Sequence, residues 1–366
     1  MRAIVLACIL LTLNSVFASD SIQCKDENNN PVDWFVVYKF PLIKYAKKSL
    51  IKRGEGYMYI TDTQLDDEWQ ISERTIDGED SIIANTISFF NDKNKDDKLW
   101  LAYNDEGNVE CYTCGHTKGF IGGGNSGGFW LVHSVPKYLQ DEYPKTGLRY
   151  GQSALCISLN KTELDLIGDF FKYNKPNIQQ WHLSDTLKKI YPKITAALNN
   201  QKLKIKAPFN FQKSIFSKKG VEFQGFAKSR DFHTDLYEWV AKTLGEDLYT
   251  ETWINGGYLP SNCDSDYRVI NIMSMTHPKL NLIYSSHNDH AKLAIAASKA
   301  NPWVCIGDIN RAKSQEHRGG GTVCLNNEKL WNSYFKLINS TEKCDSYMIN
   351  NLSYMLPNVD FQENVL

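Results

Sequence analysis

Beyond its first eighteen residues the chain has no apolar run approaching the roughly 20 residues that a transmembrane helix needs. That absence argues against a membrane span. Low-complexity tracts are missing as well, so nothing in the composition marks a tethering linker. Charge of one sign is also absent. Lys and Arg total 41 against 42 Asp and Glu, a formal net charge of −1 at pH 7. The chain therefore carries no strong overall field at neutral pH.

What is present begins with a leader. Arg2 precedes an apolar stretch from Ala3 to Leu13, and Val16-Phe17-Ala18 supplies small residues at the first and third positions before a break. This predicts a signal peptide over residues 1–18 and a soluble mature chain that has passed through the secretory pathway. The remaining length allows a large core, in one big domain or two medium ones.

The leader removes Cys8 and leaves an even set: Cys24, Cys111, Cys114, Cys156, Cys263, Cys305, Cys324 and Cys344. In a secreted chain this suggests a disulfide framework whose connectivity the sequence leaves open. Cys111 and Cys114 have redox-motif spacing but no thioredoxin-like βαβ context, so a local disulfide or a packed thiol pair is expected. Sequons at Asn160, Asn339 and Asn351 are candidate glycosylation sites. Arg2 is the leader's sole charged residue, so the mature chain holds 40 bases and 42 acids. Protonating its eight histidines moves the formal balance from −2 to +6. A chain that is slightly acidic at neutral pH thus becomes cationic in acid, which favours a polyanionic partner there.

The hydrophobic pattern mixes strands and helices. Val32 to Phe40 predicts a buried strand ending at Pro41, and Tyr57–Ile60, Leu99–Tyr103 and Ala154–Leu159 predict further strands. Helical spacing covers Ile82 to Phe90, Glu163–Tyr173, Ser184–Leu198 and Phe232 to Leu244, the last ending at Gly245. Short strands follow at Leu248–Trp253, Tyr267–Ile272, Leu280–Tyr284 and Trp303–Ile309. Then come a glycine turn at Gly319-Gly320-Gly321 and a last helix through Leu330, Tyr334, Leu337 and Ile338. Gly122 to Gly127 formally matches a dinucleotide-binding pattern, but no acid at the expected distance ends a second strand. A hairpin connection is expected instead. The fold class is α/β, mixed α+β, with two similar halves.

The chemistry concentrates in Gly115-His116-Thr117-Lys118-Gly119 and its echo Asp289-His290-Ala291-Lys292. In extended backbone, residues two apart share a face, so each His-x-Lys triplet presents an imidazole beside an ammonium. That pair suits a phosphodiester: the lysine offsets charge while the histidine attacks or moves a proton. Trp130 follows His116 by fourteen residues and Trp303 follows His290 by thirteen. This is either a degenerate duplication or two unrelated hairpins with one pattern. His116, Lys118, His290 and Lys292 are the catalytic candidates, with His133, Asp308 and Asn310 as supporting candidates. His133 is read as structural or catalytic, and His287 as exposed or supporting. No acidic pair with phosphatase-like spacing accompanies the histidines, and each lysine stands where a metal ligand would be expected. Metal-free chemistry without a cofactor is the expectation.

Long segments carry a resemblance. They are Pro31-Val32-Asp33-Trp34-Phe35-Val36-Val37-Tyr38-Lys39, the first triplet, Gly127 to Ser134, Tyr150-Gly151-Gln152, Leu259 to Cys263, the second triplet, Cys305 to Arg311 and Arg318 to Cys324. In that order they resemble the deoxyribonuclease II family, acid endonucleases with a phospholipase D-like superfamily fold. The resemblance implies two pseudo-symmetric halves, 19–165 and 166–366, each a mixed central sheet flanked by helices and each supplying one triplet to a shared site. It implies cleavage of a DNA substrate to 3′-phosphate and 5′-hydroxyl ends through a phosphohistidine, in a lysosomal or secreted protein that is a monomer or homodimer. It also implies disulfides Cys24–Cys156, Cys263–Cys344 and Cys305–Cys324. The family's second triplet reads His-Ser-Lys-Trp, whereas this chain has His290-Ala291-Lys292-Leu293. Two other readings stand beside it: a catalytically weak or inactive secreted relative that binds nucleic acid or a host protein, and a phosphodiesterase of lipid head groups.

Overall fold

In the computed structural model, residues 22–344 are described except 67, 92–95, 108, 110, 140–141 and 200–203. The leader and Asn351 lie outside the described residues.

A strand that is apolar on both alternating faces has to be covered on both sides. The run from Val32 does this: all six residues of β1 (Trp34–Lys39) are buried. Trp34, Val36 and Tyr38 face the main core, while Phe35 and Val37 face a second cluster. Burying each such side chain contributes about 1.5–3 kcal/mol. The first sheet continues with β2 (Tyr57–Thr61), β3 (Gln70–Ile71), β4 (Leu99–Asn104), β5 (Lys118–Gly124), β6 (Gly127–His133), β7 (Gln152–Asn160) and β8 (Ile178–Leu183). Its spatial order is β3-β2-β1-β7-β6-β5-β4-β8. The glycine run is a hairpin as expected: β5 and β6 pair antiparallel across Asn125-Ser126.

The second sheet holds β9 (Asn210–Phe216), β10 (Glu222–Lys228), β11 (Leu248–Glu251), β12 (Val269–His277), β13 (Leu282–Ser285), β14 (Leu293–Ala296), β15 (Trp303–Gly307), β16 (Gly320–Asn326) and β17 (Ile338–Thr341). Its order is β13-β12-β11-β14-β15-β16-β10-β9, with β17 beside β12. The path β2-β1-β7-β6-β5-β4-β8 in the first sheet matches β9-β10-β16-β15-β14-β11-β12 in the second. Every matched neighbour pair is antiparallel except the last, where β4–β8 is antiparallel and β11–β12 parallel. β8 follows residue 165 in the chain yet forms the edge of the first sheet.

The helices are α1 (Ser49–Arg53), α2 (Ile82–Ile87), α3 (Lys145–Arg149), α4 (Lys161–Asn174), α5 (Asp185–Ile190), α6 (Pro192–Asn199), α7 (Leu236–Leu244) and α8 (Glu328–Phe335). The inner faces of both sheets share one core with α4 and α8. The α2 segment covers the outer face of the first sheet, and α7 that of the second. At the start of α4 the Asn160 side chain accepts from the amides of Thr162 and Glu163 at 2.9 and 3.1 Å, a sound N-cap. The described elements form a mixed α+β fold.

Local details differ from the sequence reading. Ser184–Leu198 is two helices, because Pro192 lacks the N–H that would continue α5. Gly320 and Gly321 open β16 rather than form a turn. A Cβ on Gly321 would lie 2.6 Å from the Phe226 carbonyl oxygen, so close strand approach demands glycine there. Ile338 belongs to β17, since α8 stops at Phe335.

All four disulfides are present: Cys24–Cys156, Cys263–Cys344, Cys305–Cys324 and the local Cys111–Cys114. Asn160 is exposed, whereas Asn339 is partly buried and its amide nitrogen donates to Ser274 Oγ at 2.8 Å. Among the described residues no helix is long and apolar enough to cross a membrane.

Candidate active site

Both triplets sit at strand entrances rather than inside strands. Lys118 is the first residue of β5, and Lys292 immediately precedes β14. The matched tryptophans lie on the hairpin partners, Trp130 within β6 and Trp303 at the start of β15. The histidine amides find partners across the molecule. The His116 N–H donates to the Gly319 carbonyl at 2.8 Å, and the His290 N–H to that of Gly151 at 2.9 Å. Gly319 directly precedes β16 and Gly151 directly precedes β7, which are matched strands. Each histidine is therefore held by the sheet that does not carry it.

Glycines make this crossing possible. A Cβ on Gly115 would stand 1.8 Å from the Asn174 carbonyl oxygen at the end of α4, and one on Gly319 would stand 2.3 Å from the same atom. Such separations are far inside van der Waals contact, so both loops need glycine to pass the helix end.

His116 is buried, and its ring Nδ1 bonds the Asp308 backbone carbonyl. A carbonyl can only accept, so Nδ1 carries the proton and Nε2 keeps its lone pair. Nε2 lies 4.0 Å from Asp105. Asp105 also bonds Lys118 and accepts from Arg318 Nη2 at 3.1 Å. Arg318 donates in addition to the Cys114 carbonyl, at 3.0 and 3.1 Å. Burial opposes ionisation of Asp105, but Lys118, His116 and Arg318 outweigh it and hold its carboxyl below the usual range.

His290 is clasped by two aromatic rings. Tyr150 stacks on it with centroids 4.1 Å apart and planes 12° apart, and Trp253 lies at 4.5 Å. Its Nε2 is buried without a hydrogen-bond partner among the described residues. Lys292 is buried, and its ammonium donates to the His290 carbonyl. Beneath it lie two buried carboxyls, Asp289 and Glu251. Asp289 accepts from the Tyr38 hydroxyl and from the Ala291 amide at 2.8 Å, and Glu251 accepts from Ser286 at 2.7 Å. Burial, and then repulsion from Asp289, pushes the Glu251 carboxyl well up. Ala291 and Leu293, the two departures from the familiar triplet, are fully buried in the core.

The triplets act on each other electrostatically. Burial is the largest force lowering His116 to about 3 and His290 to about 2. After it comes Lys118 for His116 and Lys292 for His290, and each lysine also acts on the other triplet's histidine. Burial and Lys118 bring Lys292 down to about 7. A connected backbone route joins the two: the Gly307 amide donates to the Lys292 carbonyl at 2.9 Å, and the next residue is Asp308, whose carbonyl takes the His116 ring. The result is one cationic cluster around two neutral imidazoles.

The family model for deoxyribonuclease II matches residues 23–344, nearly the whole described span. The chain belongs to the deoxyribonuclease II family. Plancitoxin-1 of Acanthaster planci is 33% identical over 351 residues, covering 93% of this chain and 97% of its own. Deoxyribonuclease-2 of Caenorhabditis elegans is 35% identical over 364 residues, 91% of this chain and 96% of its own. Deoxyribonuclease-2-alpha of Mus musculus is 32% identical over 358 residues, 94% and 98%.

In this deoxyribonuclease II family member the supporting candidates lie around the cluster in different ways. Asp308 is buried, and its Oδ1 accepts the Gly321 amide at 3.0 Å. Burial raises its carboxyl to about 8. Asn310 Oδ1 accepts the Trp253 amide at 3.2 Å and so steadies one ring against His290. His133 is fully buried behind Lys118, packed on Phe120 and Tyr138, and its Nδ1 accepts the Val135 amide at 3.1 Å. Asp105, Tyr150, Trp253 and Arg318 carry contacts to the cluster that sequence reasoning assigned no role. Asp105 lies two residues past the predicted strand Leu99–Tyr103, and no local pattern marks it. Among the described residues, Asp105, Glu106 and His116 have metal-ligand spacing. The Lys118 ammonium already bonds Asp105 and sits 3.6 Å from Glu106, so a protein cation occupies the carboxylate side of that group.

Proposed function

We propose that this chain is an acid endodeoxyribonuclease that hydrolyses DNA phosphodiesters without metal ion or cofactor, leaving 3′-phosphate and 5′-hydroxyl ends. The observation that carries the reading is the fixed tautomer of His116, whose Nε2 lone pair lies 4.0 Å from Asp105 and within the fields of Lys118, Arg318 and Lys292. In the first step Nε2 attacks phosphorus and forms a P–N bond as the P–O5′ bond breaks. Protonated His290 gives its proton to the departing O5′. Water then attacks the phosphohistidine, neutral His290 accepts the water proton, and the P–N bond breaks to release the 3′-phosphate and restore His116. Lys118 and Lys292 balance the non-bridging oxygens, where charge changes in the transition state.

Burial and neighbouring ammonium groups favour neutral imidazoles. A bound phosphodiester adds negative charge between them and raises both pKa values, so one proton is taken up with the substrate. Acid supplies that proton and also strengthens phosphate contacts elsewhere on the surface. The matched sheet order supports two pseudo-symmetric, phospholipase D-like halves, one triplet each. The leader supports delivery to the lysosome or the exterior. The deciding assay is plasmid nicking in EDTA at about pH 5 with His116→Ala and His290→Ala. Loss of nicking in both supports the mechanism. Wild-type nicking by either, or dependence on added divalent metal, overturns it. DNA binding without cleavage across a pH series identifies a non-catalytic relative instead.

A further inference from the structure

Two buried lysines occupy matched positions outside the triplets. Lys39 is the last residue of β1 and Lys228 the last of β10. In the ladders Lys39 stands opposite Gln152, the residue after Gly151, and Lys228 stands opposite Gly320, the residue after Gly319. Both are 1% exposed, although lysine is almost never buried without partners.

Their partners are backbone carbonyls. Lys39 Nζ donates to Gly147, Leu148 and Tyr150 at 2.6, 2.7 and 2.6 Å. An ammonium has three N–H bonds, and here each has an acceptor. Lys228 Nζ donates to Gln315 and Glu316 at 3.2 and 2.8 Å. In both halves the acceptors lie at or just past the end of a short helical turn, where carbonyls run short of partners; the Gln315 carbonyl also accepts the Arg318 amide at 3.2 Å. Burial drives a lysine towards its neutral form. Asp289 near Lys39 and Asp235 near Lys228 oppose this, but burial prevails and holds both lysines below their usual range, Lys228 at about 8.

The anchored turns lead straight to the histidines. Gly151 follows Tyr150 and accepts the His290 amide, while Tyr150 itself stacks on the His290 ring. Gly319 lies three residues past Glu316 and accepts the His116 amide. We propose that Lys39 and Lys228 are crossed positioning residues: Lys39, in the first sheet, fixes His290 of the second, and Lys228, in the second sheet, fixes His116 of the first. A buried side-chain donor pins each turn without a strand ladder, so each imidazole is oriented by the opposite half. The inference rests on the reading of both histidines as catalytic.

The test compares Lys39→Met and Lys228→Met in the full chain. Histidine ring resonances are read by NMR after 13C labelling, with His116→Gln and His290→Gln giving the assignments, and nicking kinetics are measured in EDTA. Lys39→Met is expected to move the His290 resonance and spare His116, and Lys228→Met to do the reverse. Each should lower kcat on the order of 100-fold with KM within about threefold, the effect of a misplaced reacting group. If a methionine variant does not fold, the corresponding Lys→Arg variant is read in the same way. It keeps the cation while redirecting its donors, so a smaller shift of the same crossed ring is expected. Shifts confined to the histidine of the same sheet, equal shifts in both, or unchanged rings overturn the proposal. Wild-type nicking by His290→Ala would instead overturn the catalytic reading and leave the ring shifts to decide the wiring.

Discussion

Asp105→Asn is the most instructive single change near the site. The Asp105 side chain is 3% exposed and neutralises two cations, Lys118 at 0% and Arg318 at 19%. The substitution keeps the shape and removes the charge, leaving two like charges facing each other. Removing one partner of a buried ion pair costs about 3–5 kcal/mol. The partial exposure of Arg318 and the second contact of Lys118 to Glu106 argue for the lower end, about 3 kcal/mol. For a chain this long each kcal/mol moves Tm by about 2 °C, so a drop of about 6 °C is expected. The Asp105 carboxyl is held below its unfolded value. Its stabilising contribution is therefore complete above the ordinary carboxylate range and lost only as pH falls through the depressed folded value. The drop should accordingly be the same at about pH 5 and pH 7. Lys118 and Arg318 also lose their common anchor, and kcat should fall on the order of 100-fold. Thermal unfolding at both pH values and EDTA-resistant nicking read these effects. A variant with wild-type Tm and wild-type kcat would refute the reasoning.

Gly115→Ala places a Cβ 1.8 Å from the Asn174 carbonyl oxygen, whereas Gly124→Ala meets nothing closer than 3.5 Å. The first should lose kcat on the order of 100-fold and the second very little; similar kinetics for both would contradict the crossing geometry. The pH profiles of kcat/KM and kcat should separate, because the free site holds neutral imidazoles at about 3 and about 2 and the bound phosphate raises them. The kcat profile should extend to higher pH, and kcat/KM should decline further as Lys292 loses its proton through about 7. Superimposable profiles count against proton uptake on binding. The Cys24–Cys156 bridge closes 132 residues, worth about 5 kcal/mol in the chain-entropy account, and Cys111–Cys114 closes 3, worth about 2 kcal/mol. Replacing each pair by serine and comparing Tm should reproduce that order; equal losses would show that loop length does not govern them.

How much of this was legible in the sequence follows from which signals are local. The buried run Trp34–Lys39 and the Gly124–Gly127 hairpin each write a short-range pattern, and each stands where that pattern pointed, whereas the two triplets, read as extended strand, lie at strand entrances. β9 and β10 went unread: Asn210–Phe216 is an edge strand with few buried positions, and Gly225 interrupts the apolar pattern because Phe170 packs where a Cβ would lie. The glycines at 319–321 read as a turn because their real cause, close approach of the end of α4 to Gly319, of Ile309 to Gly320 and of β10 to Gly321, lies elsewhere in the chain. The crossed amides and the buried lysines are likewise long-range. Lys39 looked like the polar end of an apolar run, and nothing near it in sequence reveals the turn at Gly147–Tyr150 that it holds.

The central claim is that two imidazoles from opposite sheets serve one phosphorus without a metal. Its most direct test is plasmid nicking in EDTA at about pH 5 by wild type, His116→Ala and His290→Ala. The account predicts full nicking by wild type and losses of several orders of magnitude in both variants. Retained nicking by either variant, or none by wild type until a divalent ion is added, contradicts it.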